Sequence, residues 1–154
     1  MPILSLQNIS KSYGRLKALS GVSFNVPAGS VFGILGPNGS GKTTLLGIVM
    51  DVLKADEGSF QLFDNTPSAK ERQQIGTLLE TPNFYHYLSA WKNLEITASI
   101  KNRGKDDIER VLKITGLLHR KDDAFKTYSL GMKQRLALAT VLLGDPDVLI
   151  LDEP

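Results

Sequence analysis

The sequence predicts an α/β fold, because three kinds of segment follow one another along the chain. Segments in which apolar and polar residues alternate come first, segments with helical spacing of apolar residues fill the middle, and a wholly apolar strand lies near the end. Alternation is typical of antiparallel strands with one buried face, whereas a wholly apolar strand is typical of a parallel sheet covered on both faces. We therefore expect an antiparallel β front, a parallel sheet core and a helical region.

The strands are predicted from these two patterns. The alternating segments are 3–9, 22–26 and 58–63, and the apolar segments are 30–35, 75–79 and 148–151. Turn residues follow several of them, as in Pro27-Ala28-Gly29 and Asp64-Asn65. Glycine, proline, asparagine and aspartate supply the backbone conformations that tight turns need, so these residues mark strand ends.

The helices are predicted from apolar residues at intervals of three and four. They cover approximately 42–53, 90–101, 106–115 and 129–143. The last one is followed by Gly144-Asp145-Pro146, which ends a helix because proline cannot continue the hydrogen bonding. The final apolar strand begins soon after this turn.

One loop, between the segments 30–35 and 42–53, matches the P-loop pattern G-x-x-x-x-G-K-[ST]. Its residues are Gly36, Pro37, Asn38, Gly39, Ser40, Gly41, Lys42, Thr43 and Thr44. The glycines let the backbone approach an anion closely, and the amides at the helix start point at a polyphosphate. Lys42 is predicted to reach the β- and γ-phosphates and Thr43 to offer its hydroxyl to Mg²⁺. A glycine-rich turn would match this pattern by chance in fewer than ~1% of chains of this length.

Composition excludes several classes of function. The 154 residues suit one domain, and the net charge of +2 argues against a dedicated nucleic-acid surface. Without cysteine, the chain forms neither a disulfide nor a thiolate metal site. Residues 1–6 lack the features of a signal peptide, and no apolar run approaches the roughly 18 residues that span a bilayer. We expect a cytoplasmic protein that needs a separate partner for any role at a membrane.

An acidic pair follows the apolar strand at 148–151. Asp152 is predicted to lie beside a metal ion, and Glu153 to polarise an attacking water. Acidic residues commonly end strands, so the pair alone indicates only a strand end. The P-loop changes this interpretation, because Mg²⁺ at the Thr43 hydroxyl needs a carboxylate opposite.

The segment 128–136, Y-S-L-G-M-K-Q-R-L, resembles the signature motif of ABC ATPases, usually L-S-G-G-Q followed by a basic Gln-Arg run. The order of P-loop, signature and Leu-Asp-Glu-Pro is also that of ABC ATP-binding domains, so the resemblance covers essentially the whole chain. Within the family, 75–94 resembles the ATPases of bacitracin-type and lantibiotic-immunity exporters. The resemblance implies that 1–154 is the N-terminal part of one P-loop NTPase domain of ABC type. Its parallel core would be RecA-like and incomplete, and a helical signature subdomain would cover approximately 86–140.

The resemblance also implies roles for further residues. Ser129 and Gly131 would grip the γ-phosphate of ATP held on the P-loop of a second subunit, in a head-to-tail dimer. Ser129 also begins a helix, and a capping role is compatible with this. Tyr13 would stack on adenine. The alternative interpretation is that Tyr13 is an ordinary tyrosine at the surface or at a sheet edge. Glu80 stands where the family has its Q-loop glutamine; by hypothesis it meets the Mg²⁺ shell and slows or re-tunes hydrolysis.

Several residues depart from the family pattern or have lesser roles. Tyr128, Leu130 and Met132 replace the usual Leu, Gly and Gln of the signature, and we expect phosphate binding to survive this. Half of the aromatic stretch at 84–91 is expected to be core, and the rest is a candidate surface for a transmembrane permease subunit. The basic residues at 101–105 are interpreted as a solvated loop.

ABC domains continue past Leu-Asp-Glu-Pro with a D-loop, a helix and a strand that leads to a switch histidine, and these are absent from the sequence. In that fold the missing strand lies between the P-loop strand and the strand at 148–151, so both would lack their shared neighbour. We expect the 154 residues, as given, to be a fragment with impaired folding and little or no ATP turnover of its own.

Two functions of different classes follow, and both require ATP and Mg²⁺. The first is the ATP-hydrolysing subunit of an ABC transporter that exports peptides, antibiotics or lipid-like compounds and sits at the inner face of the membrane through its permease. The alternative is a soluble ABC protein that acts as a nucleotide-switched module on cytosolic machinery such as ribosomes, although the sequence shows no charged linker of the kind such proteins carry. A P-loop ATPase outside the ABC family is a third option, against which 128–136 argues.

Overall fold

The computed structural model describes residues 1–79 and 82–152. The chain divides into two compact units, Met1–Arg72 and Gln73–Pro154. Each unit contains its own β-sheet and its own helices. Nowhere in the described residues is a helix both long enough and apolar enough to cross a membrane.

The first unit is built on an antiparallel sheet of three strands. The elements are β1 (Pro2–Tyr13), β2 (Leu16–Pro27), α1 (Lys42–Val49), β3 (Glu57–Leu62) and α2 (Ala69–Arg72). Strand β1 is central, so both of its edges pair with a neighbour. Strands β1 and β2 are longer than the alternation predicted, because register shifts interrupt the alternation before the pairing ends.

The core of the first unit combines side chains from the sheet and from α1. Leu6 of β1 lies opposite Phe24 of β2 and Phe60 of β3. The buried aliphatic side chains are Leu6, Ile9, Leu19, Leu45, Ile48, Val49 and Leu62. Each such side chain contributes about 1.5–3 kcal/mol when fully buried, so this cluster holds α1 against the sheet.

The strand predicted at 30–35 is not formed. This segment has no regular secondary structure, and the side chains of Val31 and Leu35 are fully exposed. The ring of Phe32 stacks on that of Phe24 with 5.0 Å between centroids. No strand pairs with 30–35 among the described residues, and a parallel strand needs a neighbour for its N–H and C=O groups. Apolar content predicts that a segment can be buried in a sheet, but the sheet must be supplied by other strands.

The second unit combines a parallel pair of strands with a group of helices. Its strands and α-helices are β4 (Ile75–Leu78), α3 (Ala90–Lys101), α4 (Ile108–Ile114), α5 (Leu130–Leu142) and β5 (Val148–Leu151). Short 3-10 turns cover Lys105–Asp107, Leu118–Arg120 and Phe125–Thr127. Strands β4 and β5 pair from Ile75 opposite Val148 to Leu78 opposite Leu151. The predicted parallel strands at 75–79 and 148–151 and the predicted helix at 90–101 are confirmed.

The helices of the second unit share one core. Its fully buried large side chains are Leu94, Ile108, Val111, Leu112, Leu117, Leu136 and Leu143. Ser89 caps α3, since its side chain accepts a hydrogen bond from the backbone N–H of Lys92 at 3.2 Å. Such a cap contributes about 1 kcal/mol and favours a helix that begins directly after Ser89.

Candidate functional site

The P-loop lies at the surface of the first unit, directly before α1. The Lys42 ammonium donates hydrogen bonds to the carbonyl oxygens of Gly36 at 2.9 Å and Pro37 at 3.1 Å. The backbone N–H of Ser40 donates to the same Pro37 oxygen at 3.2 Å. The loop therefore curls around the ammonium group, and a positive charge lies within it.

Gly41 fixes how this loop enters the helix. Its φ of 93° is left-handed, and a Cβ there would lie 2.4 Å from the carbonyl oxygen of Ala18 and 2.8 Å from the side chain of Leu19, both in β2. Glycine is therefore needed both for the backbone angle and for the close approach to β2. Gly41 is also the N-cap of α1 and offers no side-chain cap. The start of α1 thus presents its positive dipole end to the loop, which favours an anion there.

The remaining P-loop residues are accessible to solvent in varying degree. Asn38 and Gly39 are exposed in the turn, Thr43 is exposed in the first turn of α1, and Thr44 is partly buried. An exposed threonine directly after the loop lysine is what the P-loop pattern predicts for a polyphosphate bound with a metal ion.

Tyr13 ends β1 in the same unit, and 46% of it is exposed. The Lys11 ammonium lies over its ring, 5.7 Å from the centroid. One carboxylate oxygen of Asp56 accepts a hydrogen bond from Lys11 at 2.8 Å, and the other accepts one from the backbone N–H of Ser12 at 2.7 Å. The bond from Lys11, followed by that from Ser12, lowers the pKa of Asp56. The residue predicted to meet adenine is thus exposed beside a polar network that the motifs did not reveal.

Asp152 follows β5 in the second unit. Its backbone N–H donates to the carbonyl oxygen of Leu78 at 2.8 Å, so the pairing of β4 and β5 fixes the backbone at this position. Ligands of open parallel sheets commonly bind at this carboxyl end of the strands. Thr43 belongs to the first unit and Asp152 to the second, and a magnesium site that joins them stays a prediction. Glu80 and Glu153 lie outside the described residues, so their predicted roles stay predictions.

The signature segment begins α5 at the surface of the second unit. Ser129 is the N-cap, and its hydroxyl accepts a hydrogen bond from the backbone N–H of Met132 at 3.3 Å. Leu130 is 75% exposed, and a Cβ added at Gly131 would meet no atom within 4 Å. The described fold therefore does not require glycine at 131.

Tyr128, which departs from the usual signature leucine, has a structural role. It is only 4% exposed, and its hydroxyl donates to the carbonyl oxygen of Arg120 at 2.8 Å. Its ring also packs against Phe125, with 6.1 Å between centroids. Burial raises the pKa of the phenol, so it stays protonated and keeps its donor. The substitution thus anchors the segment before α5 and places no polar group at the exposed signature.

The aromatic stretch at 84–91 divides as expected between core and surface. Phe84 is buried and packs on Phe125 with 4.8 Å between ring centroids, while Trp91 is partly buried. Tyr85 and Tyr87 are exposed and meet edge to face at 6.1 Å. The stretch therefore presents two tyrosines at the surface of this unit.

Asn93 holds the backbone of this stretch, a role that the sequence analysis missed. The side chain is buried and accepts a hydrogen bond from the backbone N–H of Tyr85 at 2.8 Å. Its amide nitrogen donates to the carbonyl oxygens of Tyr85, Leu88 and Ser89 at 3.0–3.3 Å. One polar side chain thus fixes a turn that has little regular structure of its own.

The interpretation of 101–105 as a solvated loop is wrong for Lys101 and Arg103. The Lys101 ammonium donates to the carbonyl oxygen of Thr140 at 2.5 Å, and burial lowers its pKa. The Arg103 guanidinium donates to the carbonyl oxygens of Gln73 and Gly144. Two of these carbonyl groups, those of Thr140 and Gly144, lie at and after the end of α5, where the helix itself supplies no donors. A charge run in a sequence does not show such distant backbone partners.

The sequence profile of a known family, described as ABC transporter, matches residues 19–154. The ABC transporter ATP-binding protein YdbJ of Bacillus subtilis (strain 168), itself uncharacterized, is 40% identical, over 99% of this chain and 51% of its own length. The bacitracin transport ATP-binding protein BcrA of Enterococcus faecalis is 35% identical, over 99% of this chain and 51% of its length. The lantibiotic transport ATP-binding protein SrtF of Streptococcus pyogenes is 36% identical, over 99% and 66%.

Solved structures agree with these relatives. The structure of cbiO1 from Clostridium perfringens, part of the ABC transporter complex cbiONQ, matches with a TM-score of 0.85 and 31% identity, over 99% of this chain and 66% of that one. The chain spans about half the length of the first relatives that it matches. The predicted α/β fold of ABC type is confirmed. The match over residues 19–154 shows that this chain belongs to the ABC transporter family, and the relatives that it matches are ATP-binding proteins of that family.

Proposed function

We propose that this chain forms part of the ATP-binding and ATP-hydrolysing subunit of an ABC transporter. The observation that carries the proposal is the Lys42 ammonium, bonded to the oxygens of Gly36 and Pro37 in a loop that leads into a helix without a side-chain cap. Cation, loop amides and helix dipole together suit a triphosphate. Membership of the ABC transporter family supports ATP as that triphosphate.

In this proposal the β- and γ-phosphates lie against the backbone amides of 38–44. Lys42 leaves its carbonyl partners for the phosphate oxygens, which are charged and therefore stronger acceptors. Gly41 keeps the backbone close enough for this contact, and Tyr13 offers an aromatic face to adenine. Phosphates and base thus use residues of the first unit alone.

The oxygen donors of the chain fit a magnesium ion. Mg²⁺ takes hard oxygen ligands and keeps several waters, and the proposed protein donors are the Thr43 hydroxyl and the carboxylates of Asp152 and Glu80. In residues 1–79 and 82–152, no three His, Asp or Glu side chains cluster so that they could hold a metal by themselves. Phosphate oxygens and water would therefore complete the shell. Such an ion would neutralise charge on the phosphates, and the proposed role of Glu153 is to orient the attacking water and take its proton.

The start of α5 is proposed to complete the site of a second subunit. The hydroxyl of Ser129, the exposed Leu130 and the open position at Gly131 form a surface that a phosphate of the partner's ATP can approach. Two chains would then bind two ATP molecules in a head-to-tail dimer. ATP binding closes this dimer and hydrolysis reopens it.

We further propose that the subunit powers export of peptides, antibiotics or lipid-like compounds. The names of the bacitracin and lantibiotic transport relatives support this class of cargo. The subunit would attach to the inner face of the membrane through a permease, and the exposed Tyr85 and Tyr87 are the proposed contact.

The test of the chemistry is Glu153→Gln in the full natural chain. We expect turnover to fall at least ~100-fold, as for loss of a general base, while ATP binding and an ATP-dependent dimer persist. Glu109→Gln, at an exposed position of α4, removes the same charge and is the matched control. Turnover can be followed by phosphate release, and dimer formation by light scattering with and without MgATP.

Lys42→Ala tests the binding site separately. We expect it to abolish measurable ATP binding, since a charge-assisted contact to two phosphates is lost. Normal ATP affinity in Lys42→Ala, or normal turnover in Glu153→Gln, would contradict the proposed function.

A further inference from the structure

Asp56 binds the end of β1 at several points. Its carboxylate accepts hydrogen bonds from the Lys11 ammonium at 2.8 Å and from the backbone N–H of Ser12 at 2.7 Å. Its own backbone N–H donates to the carbonyl oxygen of Ser10 at 2.9 Å. One residue, placed just before β3, therefore contacts three successive residues of β1.

These contacts begin where the sheet stops supporting β1 on that side. The pairing of β1 with β3 ends at Ser10 opposite Glu57. Beyond this pair, the N–H of Ser12 faces the side where β3 no longer provides an acceptor, and the Asp56 carboxylate takes that place. The register between β1 and β2 also shifts between Lys11 and Ser12. The carboxylate thus fixes the backbone immediately before Tyr13 at a point where neither neighbouring strand holds it regularly.

The same carboxylate holds a cation against the ring of Tyr13. The Lys11 side chain is only 17% exposed, and its ammonium lies 5.7 Å from the ring centroid while bonded to Asp56. A cation within about 6 Å of an aromatic centroid is attracted to the face of the ring. The Asp56 carboxylate therefore holds the Lys11 ammonium over one face of the Tyr13 ring. Nearly half of Tyr13 remains exposed.

We propose that Asp56 is a positioning residue for nucleotide binding, which acts through Lys11 and Ser12 to hold Tyr13 so that its open face receives the purine base. The proposal rests on the proposed binding of ATP and adds to it a determinant of base recognition outside the P-loop. In this proposal Asp56 and Lys11 orient the ring of Tyr13 and make no contact with the phosphates. Loss of Asp56 should therefore weaken the contribution of the base and leave that of the phosphates unchanged.

The test compares ATP with inorganic tripolyphosphate, which has the phosphates without the base. Dissociation constants for both are measured by calorimetric titration of the full natural chain. Asp56→Asn is expected to weaken ATP about two- to fivefold, as for loss of an exposed cation–π contact, with no change for tripolyphosphate. Lys11→Gln is expected to do the same and serves if Asp56→Asn does not fold. Asp51→Asn, which removes the exposed ion pair with Arg72 in the same unit, is the matched control and should change neither constant.

Tyr13→Ala separates failure of this inference from failure of the proposed function. Loss of stacking should weaken ATP at least about fivefold and leave tripolyphosphate unchanged. If Tyr13→Ala has this effect and neither Asp56→Asn nor Lys11→Gln does, the positioning role is overturned and ATP binding stands. Equal weakening of both ligands by Asp56→Asn also overturns it, because the effect then is on the whole unit. If the unaltered chain binds neither ligand, the proposed function itself fails.

Discussion

The Asp107 carboxylate accepts a hydrogen bond from the backbone N–H of Gly144 at 2.9 Å and forms an ion pair with Arg110. Gly144 follows α5 in the turn that leads to β5, so Asp107 ties the start of α4 to the end of α5. The bond from Arg110 is the main cause that lowers the pKa of Asp107, and the bond from Gly144 adds to it. The turn before β5, the strand that Asp152 follows, is thus held by a charged side chain.

This relationship predicts a pH-dependent stability. Because the pKa of Asp107 is lower in the folded chain than in the unfolded one, its contribution is present above the ordinary carboxyl pKa of about 4 and is lost as pH falls through the lowered value. Asp107→Asn should reduce the urea midpoint at pH 7, and the difference from the unaltered chain should shrink below about pH 4. Asp106→Asn, at an exposed position of the same turn, is the control and should have little effect. Equal midpoints at pH 7 would show that the charge of Asp107, with its ion pair to Arg110, does not stabilise the turn.

Gly41→Ala should disrupt the P-loop. The left-handed backbone and the 2.4 Å approach to the Ala18 oxygen leave no room for a methyl group. We expect the unfolding free energy to fall by about 1–3 kcal/mol from strain alone, together with loss of ATP binding. Gly39→Ala tests the backbone angle without the clash, because φ is 80° there and no atom lies within 4 Å of the added Cβ. It should be destabilised less than Gly41→Ala, and equal losses would remove contact with β2 as the reason.

Tyr128→Phe should lower stability without affecting the exposed signature. The change removes the donor to the Arg120 carbonyl oxygen in a largely buried setting, which costs about 1–2 kcal/mol. Tyr87→Phe, at an exposed position, is the control and should stay within about 0.5 kcal/mol. Chemical denaturation measures both. An unchanged midpoint in Tyr128→Phe would mean that the hydroxyl contributes nothing to the segment before α5.

Glu80→Gln tests the departure at the Q-loop position. In the proposed site the Glu80 carboxylate would add negative charge beside the γ-phosphate, so the amide is expected to raise turnover and alter the dependence on Mg²⁺ concentration. Steady-state phosphate release over a range of Mg²⁺ gives both quantities in the full natural chain. If both are unchanged, the hypothesis for Glu80 is to be abandoned.

Local patterns predicted most of the elements for a definite reason. Alternation located β1, β2 and β3, and helical spacing located α3, because these signals lie within a few neighbouring residues. The prediction of a strand at 30–35 was wrong because a strand also needs a neighbouring strand, and no local pattern shows whether one is present.

The residues of the candidate site and its surroundings were likewise predicted where they belong to a local motif and missed where they do not. The P-loop and the signature are contiguous segments, so both can be predicted from the sequence, and Gly41 and Ser129 have the local backbone roles expected of them. Asp56 and Asn93 were missed, and Arg103 was misinterpreted, because each acts on backbone groups that are separated from it in the chain or carry no motif. Tyr128 was noticed as a departure, but only its burial explains it.

The hydrogen bonds of Asn93 have a consequence for how such subunits can diverge. Because an inward amide determines the main-chain path from Tyr85 to Ser89, the outward side chains are not needed to maintain it. Mutation can therefore replace Tyr85 or Tyr87 and leave the scaffold beneath them intact. Substitutions at these two exposed aromatics would therefore change the surface without changing the backbone that presents it.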